Sequence, residues 1–208
     1  MLVVVITGGL ASGKSVVTRF LEERGAHVIE LDPLAKSLLD EDESVRSALV
    51  AAFGEGILDA QGAVVHKNLA AEAFRCEATA RTLDAIVHPW VVKMVGSELD
   101  ALALSARPPA LVAVEVPLLA EEPGLAKVAD LVVAVEAPEE IRVARAVARG
   151  MDESDARARI AVQATDEQRR EFADVVLRNE ADPNTFRTEL EAFWEEHIAP
   201  RLGADGER

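Results

Sequence analysis

The sequence feature that most constrains the fold is a glycine-rich segment at residues 8–15 that joins an apolar run to an amphipathic one. The segment reads GGLASGKS, follows LVVVIT, and matches the pattern G-x-x-x-x-G-K-[ST]. Glycines let the backbone wrap closely around an anion, and the helix that follows points its positive end at the same place. We therefore predict a strand, a phosphate-binding loop and a helix here, and call residues 8–15 the P-loop. The alternative is an ordinary glycine-rich turn.

Two side chains of the P-loop have separate chemical tasks in this interpretation. Lys14 would reach the β- and γ-phosphate oxygens of a nucleotide. Ser15 would hold the metal ion that bridges those oxygens. The loop therefore predicts nucleotide binding.

Composition limits the classes of protein to which the chain can belong. Its 208 residues suit one domain, or one domain with an inserted lobe. The net charge of -15 argues against binding to nucleic acid, which needs a basic face. The single cysteine, Cys76, excludes an internal disulfide, and no apolar run approaches the length of a membrane span. We therefore expect a cytoplasmic protein with no nucleic-acid, membrane or obligate protein partner.

Apolar runs alternate with longer helical patterns along the chain. This order is typical of a parallel sheet covered by helices, and the continuous hydrophobicity of the runs suits strands buried on both faces. The predicted strands are residues 2–7, 27–31, 111–116, 131–135 and 175–177. The sequence therefore predicts an α/β fold with a five-stranded parallel sheet.

Two helical segments interrupt this alternation. Helical patterns at residues 43–53, 67–74 and 78–104 predict a mostly helical insertion between the second and third strands. Residues 139–150 and 153–163 form a second helical segment that is rich in arginine for so acidic a protein. An insertion beside a P-loop is where an acceptor-binding lobe would lie.

Carboxylates near two predicted strand ends are candidates for catalysis or metal binding. Asp32 ends the second strand, at the edge of the sheet where α/β proteins bind ligands, and would take a proton from an acceptor hydroxyl. Asp followed by Pro is equally consistent with a helix N-cap. Glu115 and Glu121 are both candidates for approaching a metal ion, and side-chain alternation does not choose between them.

Further candidates follow the later strands. Arg145 and Arg149 lie one helical turn apart and would neutralise a transferring phosphoryl group, although a solvated face is the default for such residues. Asn179 suits either an adenine edge or an ordinary turn. His88 precedes Pro89, which is consistent with a helix start.

Taken together, the motifs resemble those of the dephospho-coenzyme A kinase family over about residues 1–195. The order and spacing of the motifs carry the resemblance, since none of the later ones is specific alone. They are TGGLASGKS at 7–15, Asp32, Phe53-Gly54, His88-Pro89, PLLAE at 117–121, Arg145 and Arg149, RIAVQ at 159–163, and ADVV at 173–176 ahead of Asn179.

The resemblance implies a three-layer P-loop kinase fold and a specific reaction. The reaction is transfer of the γ-phosphoryl group of ATP, with Mg²⁺, to the 3′-hydroxyl of the ribose of dephospho-coenzyme A. The implied parts are a core at about residues 1–31, 108–138 and 165–200, a helical acceptor-binding insertion at about 33–105, and a small helical lid at about 139–163. The alternatives are another nucleotide-type or small-molecule P-loop kinase, and an ATP-binding regulator without enzymatic activity.

The resemblance also implies roles for individual residues. The implied catalytic residues are Asp32, Lys14 and Arg145, and Asp32 is implied to act as the base or to orient the acceptor. The implied Mg²⁺ ligand is Ser15. The implied ATP-binding residues are Gly8, Gly9, Ala11, Ser12, Gly13, Lys14, Ser15, Val16, Arg149 and Asn179. The implied acceptor-binding residues are Asp32, His88, Leu118 and Glu121.

Two positions depart from the family pattern. Ala11 replaces the usual glycine of the loop, which is tolerable if this position has a negative φ. His66-Lys67 replaces the arginine usual near Gly62, in the insertion to which the resemblance assigns the acceptor contacts.

Overall fold

The computed structural model describes residues 1–31, 42–116, 123–180 and 182–204. The chain divides into two compact units, one formed by Met1–Glu30 with Asp100–Arg208 and the other by Leu31–Leu99. The P-loop belongs to the first unit, and the second unit is made of helices and short turns among its described residues.

The sheet of the first unit has five parallel strands in the order β2-β3-β1-β4-β5. The strands are β1 Leu2–Gly8, β2 His27–Glu30, β3 Leu111–Glu115, β4 Leu131–Glu136 and β5 Val175–Arg178. The predicted strand ends differ from the observed ones by no more than one residue. The prediction of an α/β fold with a five-stranded parallel sheet is confirmed.

Helices alternate with these strands along the chain. Numbered along the chain, they are α1 Lys14–Glu22, α2 Glu43–Phe53, α3 His66–Ala73, α4 Glu77–Ala103, α5 Pro123–Ala126, α6 Glu139–Ala148, α7 Glu153–Val162, α8 Asp166–Arg170, α9 Pro183–Phe193 and α10 Ala199–Ala204. A 3₁₀ turn at Glu55–Ile57 and a π-helical turn at Trp194–Ile198 complete the regular structure of the described residues.

β1 lies at the centre of the sheet because it is apolar and β-branched along almost its whole length. Every residue of β1 is buried, and Val4 pairs with Ala113 on one side and Leu131 on the other. One face of the strand packs against α1 and α9, through side chains such as Phe20 and Phe186. The P-loop therefore emerges from the middle of the carboxyl edge of the sheet, where ligands of α/β proteins bind.

The arginine-rich segment forms two helices, α6 and α7, as the sequence predicts. Gly150, with φ of +91°, turns the chain between them, and Asp152 caps α7 by accepting a hydrogen bond from the Ser154 N–H. Arg157 on α7 donates to both carboxylate oxygens of Glu140 on α6, each at 2.9 Å. These contacts make the two helices one hairpin.

The second unit contains α2, α3 and the first part of α4. Asp42 caps α2 through the N–H groups of Ser44 and Val45. The expectation that Pro89 starts a helix is wrong, since Pro89 lies inside α4, which begins twelve residues earlier at Glu77. The helical pattern on both sides of the proline outweighs the local preference for a helix start.

Burial of His88 in α4 gives the protein a pH-dependent stability. Burial lowers the pKa of His88 to about 4 from its ordinary value of 6.5, although the Asp84 carboxylate, 3.5 Å from Nε2, favours the charged form. The neutral imidazole is therefore the form that the fold prefers. Its stabilising contribution is complete above the unfolded-state pKa of 6.5 and is lost as the pH falls towards 4.

We expect wild-type protein to lose more thermal stability between about pH 7 and about pH 5 than the variant His88→Gln, which cannot take up the proton. Melting temperatures at constant ionic strength measure the difference. His27→Gln, at an exposed histidine of β2, is the matched control and should follow the wild-type profile. Parallel profiles for wild type and His88→Gln would contradict this role of His88.

Candidate phosphate-binding site

The P-loop closes on itself through hydrogen bonds from Lys14. Lys14 Nζ donates to the carbonyl oxygens of Gly8, at 2.8 Å, and Gly9, at 3.1 Å. The Ser12 N–H donates to the Gly9 carbonyl at 3.2 Å, and α1 begins directly behind the loop at Lys14. The ammonium group is thus held over the loop, where backbone N–H groups and the α1 amino end converge.

Gly13 can only be glycine, for two separate reasons. Its φ of +112° is a conformation that L side chains rarely adopt. A Cβ at this position would also collide with Nδ2 of Asn179. The loop and the residue after β5 therefore approach each other too closely for any side chain.

Gly13→Ala is expected to cost more stability than backbone strain alone. Strain at positive φ costs about 1–2 kcal/mol, and the collision with Asn179 adds to it. Gly25→Ala is the matched control, because Gly25 has φ of +89° but nothing within 4 Å of a new Cβ. Chemical denaturation of both variants measures the difference. Equal losses of stability would show that the close approach to Asn179 has no energetic effect.

Ala11 adopts a positive φ of +56°, so the condition of a negative φ is not met. The methyl group is buried against Ala146 of α6 and Ala156 of α7, with Leu10 and Met151 packed beside them. A left-handed alanine costs about 1–2 kcal/mol, which burial of the methyl group offsets by about 0.8 kcal/mol. The tip of the P-loop is therefore packed against the α6–α7 hairpin.

Asn179 and Arg145 lie together behind the P-loop. The Asn179 Nδ2 donates to the Ser12 carbonyl at 2.9 Å, and Arg145 Nη1 donates to the same oxygen at 3.3 Å. Arg145 Nη2 also donates to Asn179 Oδ1 at 2.9 Å. Burial, and then the charge of Arg149, lower the pKa of the Arg145 guanidinium. The structure thus unites two candidates that are far apart in the sequence, with Arg145 bonded to the loop backbone.

Gln163 is a contact of the loop to which the sequence patterns assigned no role. It follows α7, and its Oε1 accepts a hydrogen bond from the Leu10 N–H at 2.9 Å. A glutamine side chain gives no local signal that it will cap an amide 153 residues away. Its position in the motif at residues 159–163 was the only available indication.

Glu115 lies at the end of β3 and faces α1. Its Oε2 accepts a hydrogen bond at 3.1 Å from Thr18 Oγ1, one turn beyond Ser15. Ser15 itself is exposed at the start of α1. No group of three or more histidine, cysteine or carboxylate side chains that could hold a metal ion occurs among the described residues.

Three acidic or basic residues missed by sequence reasoning lie close to the loop or to β4. Glu136, buried at the end of β4, forms a two-pronged ion pair with Arg170, with distances of 2.7 and 2.6 Å. Arg169 is almost fully buried beside Gly9 and donates to Asp166 at 3.1 Å. Sequence spacing alone indicates exposed helical charges at Arg169 and Arg170, and gives no sign that Glu136 is buried at a strand end.

The other candidates are distributed as follows. Asp32, Leu118 and Glu121 lie outside the described residues. His88 lies in the second unit, within α4. Arg149 is exposed at the carboxyl end of α6, and Val16 is exposed in the first turn of α1.

Among the residues that the structure describes, no helix is both long enough and apolar enough to cross a membrane.

A G-x-x-x-x-G-K-S loop between the central strand and the first helix of a 2-3-1-4-5 parallel sheet defines a class. That class is the P-loop kinases. The chain belongs to the dephospho-CoA kinase family, whose sequence model matches residues 2–184.

Relatives agree with this assignment, and a solved structure shares the fold. A dephospho-CoA kinase of Streptomyces avermitilis is 40% identical over 195 residues, which cover 93% of each chain. One of Mycolicibacterium paratuberculosis is 40% identical over 201 residues, covering 96% of this chain and 48% of that protein, so the chain spans about half the length of that relative. The solved structure of the Campylobacter jejuni enzyme, at 21% identity, has the same fold with a TM-score of 0.65, covering 93% of this chain and 96% of that one.

Proposed function

We propose that the protein transfers the γ-phosphoryl group of ATP to the ribose 3′-hydroxyl of dephospho-CoA, giving CoA and ADP, the last step of CoA biosynthesis. The observation that carries the proposal is the P-loop itself, with Lys14 Nζ held at Gly8 and Gly9 in a chain of the dephospho-CoA kinase family. The activity assigned to the relatives supplies the acceptor.

The P-loop residues fit a nucleoside triphosphate. The loop offers convergent amides, a lysine and the buried Ser12 hydroxyl, which has no hydrogen-bond partner among the described residues. The residues proposed to bind ATP here are those of the loop and the first turn of α1: Gly8, Gly9, Ala11, Ser12, Gly13, Lys14, Ser15 and Val16. Phosphoryl transfer requires little covalent chemistry from the protein, so these residues act by positioning and by neutralising charge.

Mg²⁺ is proposed as the metal, with Ser15 as its protein ligand. Bound there, it would neutralise charge on the β- and γ-phosphates. The Ser15 side chain is exposed at the start of α1. Glu115 of β3 accepts a hydrogen bond from Thr18, which lies one turn further along α1, and from there its carboxylate can orient water ligands of the metal. Hard oxygen donors of this type suit Mg²⁺.

Three residues are proposed to contact the nucleotide from the β4–β5 side of β1, whereas Glu115 lies on the β3 side. They are Arg145, Arg149 and Asn179. The bonds of Arg145 and Asn179 to the Ser12 carbonyl support a place for both beside the loop. Arg145 would approach the transferring group from the α6–α7 hairpin, which we propose to be the lid at about residues 139–163. Lid closure would exclude water and limit hydrolysis of ATP.

The acceptor is proposed to bind to the helical insertion at about residues 33–105. Asp32 is proposed as the base or acceptor-orienting group, and His88, Leu118 and Glu121 as acceptor contacts. The support for these four residues is their place in the family motifs. We further propose that the enzyme acts in the cytoplasm on small molecules, without nucleic acid or a membrane.

One assay tests the proposal against both alternatives. Purified protein with Mg·ATP and dephospho-CoA should release ADP far faster than without acceptor, and EDTA should stop the release. Nucleoside monophosphates serve as competing acceptors. Faster phosphorylation of one of them would favour another nucleotide-type kinase, whereas ATP binding without acceptor-dependent ADP release would indicate a nonenzymatic ATP-binding protein.

A further inference from the structure

Two buried arginines reach Gly9 of the P-loop from two different helices. A Cβ on Gly9 would collide with Nη1 of Arg142, which lies on α6, and would lie 3.6 Å from Nη1 of Arg169, which lies on α8. The exposed fractions of Arg142 and Arg169 are 9% and 1%. Gly9 also accepts a hydrogen bond from Lys14 Nζ, so three cationic side chains meet at this one residue.

Two carboxylates of the described residues pair with arginines other than Arg142. Asp166 pairs with Arg169, and the buried Glu136 pairs with Arg170. Within the described residues, the Arg142 side chain forms no hydrogen bond or ion pair, and its buried Nε has no partner. Burial of a guanidinium without a counter-charge is costly, because it loses hydration and gains nothing in return.

Arg142 and Arg145 share α6 but have different surroundings. Arg145 uses its guanidinium on Ser12 and Asn179, whereas Arg142 is more deeply buried and has its donors uncommitted within the described residues. An uncommitted, buried cation beside a phosphate-binding loop is the arrangement expected of a group reserved for an anion.

We propose that Arg142 is a binding residue for the terminal phosphate of the nucleotide. The inference rests on the proposed function, because it takes the P-loop to bind ATP. The guanidinium approaches Gly9, the residue that Lys14 Nζ contacts, and Lys14 is the side chain expected at the β- and γ-phosphates. A planar fork of N–H donors suits two oxygens of one phosphate group.

Two variants separate charge from packing. Arg142→Met keeps the length of the apolar stem and removes the charge, and Arg142→Lys keeps the charge and removes the fork. Arg201→Met, at an exposed arginine of α10, is the control for loss of one positive charge in the same unit. Calorimetry measures the affinity for a non-hydrolysable ATP analogue and for ADP, and thermal unfolding without nucleotide measures the fold.

We expect Arg142→Met to bind the ATP analogue about tenfold more weakly, or worse, with a smaller loss for ADP. Its melting temperature without nucleotide should equal or exceed that of wild type, because an uncompensated buried charge has been removed. Arg142→Lys should retain the fold and lose part of the affinity, and Arg201→Met should bind as wild type does.

Other results of these measurements would contradict the role proposed for Arg142. Wild-type affinities in both Arg142 variants would overturn the inference while leaving the proposed function intact. A lower melting temperature in Arg142→Met with unchanged nucleotide affinity would assign Arg142 a packing role instead. If Arg142→Met fails to fold, wild-type affinity in Arg142→Lys for both nucleotides overturns the inference. Failure of the wild-type protein to bind the ATP analogue would overturn the proposed function and this inference together.

Discussion

Lys14→Ala should lower kcat by about 10²–10³-fold while the protein stays folded. Removal of one charge-stabilising donor from an active site typically costs this much. Lys14 has a second task, because its Nζ joins the carbonyl oxygens of Gly8 and Gly9. The substitution therefore removes both the proposed phosphate contact and the hydrogen bonds that join the ammonium group to the loop backbone. Acceptor-dependent ADP release measures kcat, and calorimetry measures ATP affinity.

Two controls make the Lys14 result specific. Lys127→Ala removes an exposed lysine of the same unit and should leave kcat unchanged. Lys14→Met retains most of the apolar stem but no charge, and should be as inactive as Lys14→Ala. Turnover by Lys14→Met near the wild-type rate would reject the role of the ammonium group in transfer.

The sheet and the P-loop were predictable because their signals are local. β1 is an almost entirely apolar run rich in β-branched residues, so its identity as a buried strand follows from consecutive residues. The loop pattern is equally local, and α1 stops before Gly25, whose φ of +89° favours glycine. Signals of this kind need no knowledge of the tertiary structure.

The contacts that hold the loop were not predictable, because they join distant parts of the chain. Nothing near Gln163 indicates that its side chain caps the Leu10 amide. Arg142 follows two glutamates in a helix and has the sequence signature of an exposed charge, yet it is buried at Gly9. Burial of a charged side chain depends on what packs over it, and that is set by the fold.

Ala11 shows the same limit at a single residue. Residue type alone predicts a negative φ for alanine, since a Cβ disfavours the left-handed region. The loop imposes a φ of +56° there, and the methyl group finds burial against Ala146 and Ala156. The compensation comes from helices more than a hundred residues away, which a local rule cannot include.

The sharpest test of the proposed chemistry is Asp32→Asn, which we expect to lower kcat by about 10²–10⁴-fold with little change in ATP affinity. Asp32 has two candidate roles, proton acceptor and helix N-cap, and this substitution separates them. Asparagine caps a helix about as well as aspartate but cannot take up the proton. If Asp32 only caps a helix, the variant should therefore turn over at close to the wild-type rate.

The pH dependence and a second aspartate complete the Asp32 test. Asp42→Asn is the control, because Asp42 is a helix N-cap with no proposed catalytic role, and it should leave kcat unchanged. The acidic limb of the kcat profile of the wild type should be absent from Asp32→Asn, since the titrating base has been removed. Near-normal kcat in Asp32→Asn would remove Asp32 from the chemistry, leaving transfer to depend on Lys14, the loop amides and the arginines of α6.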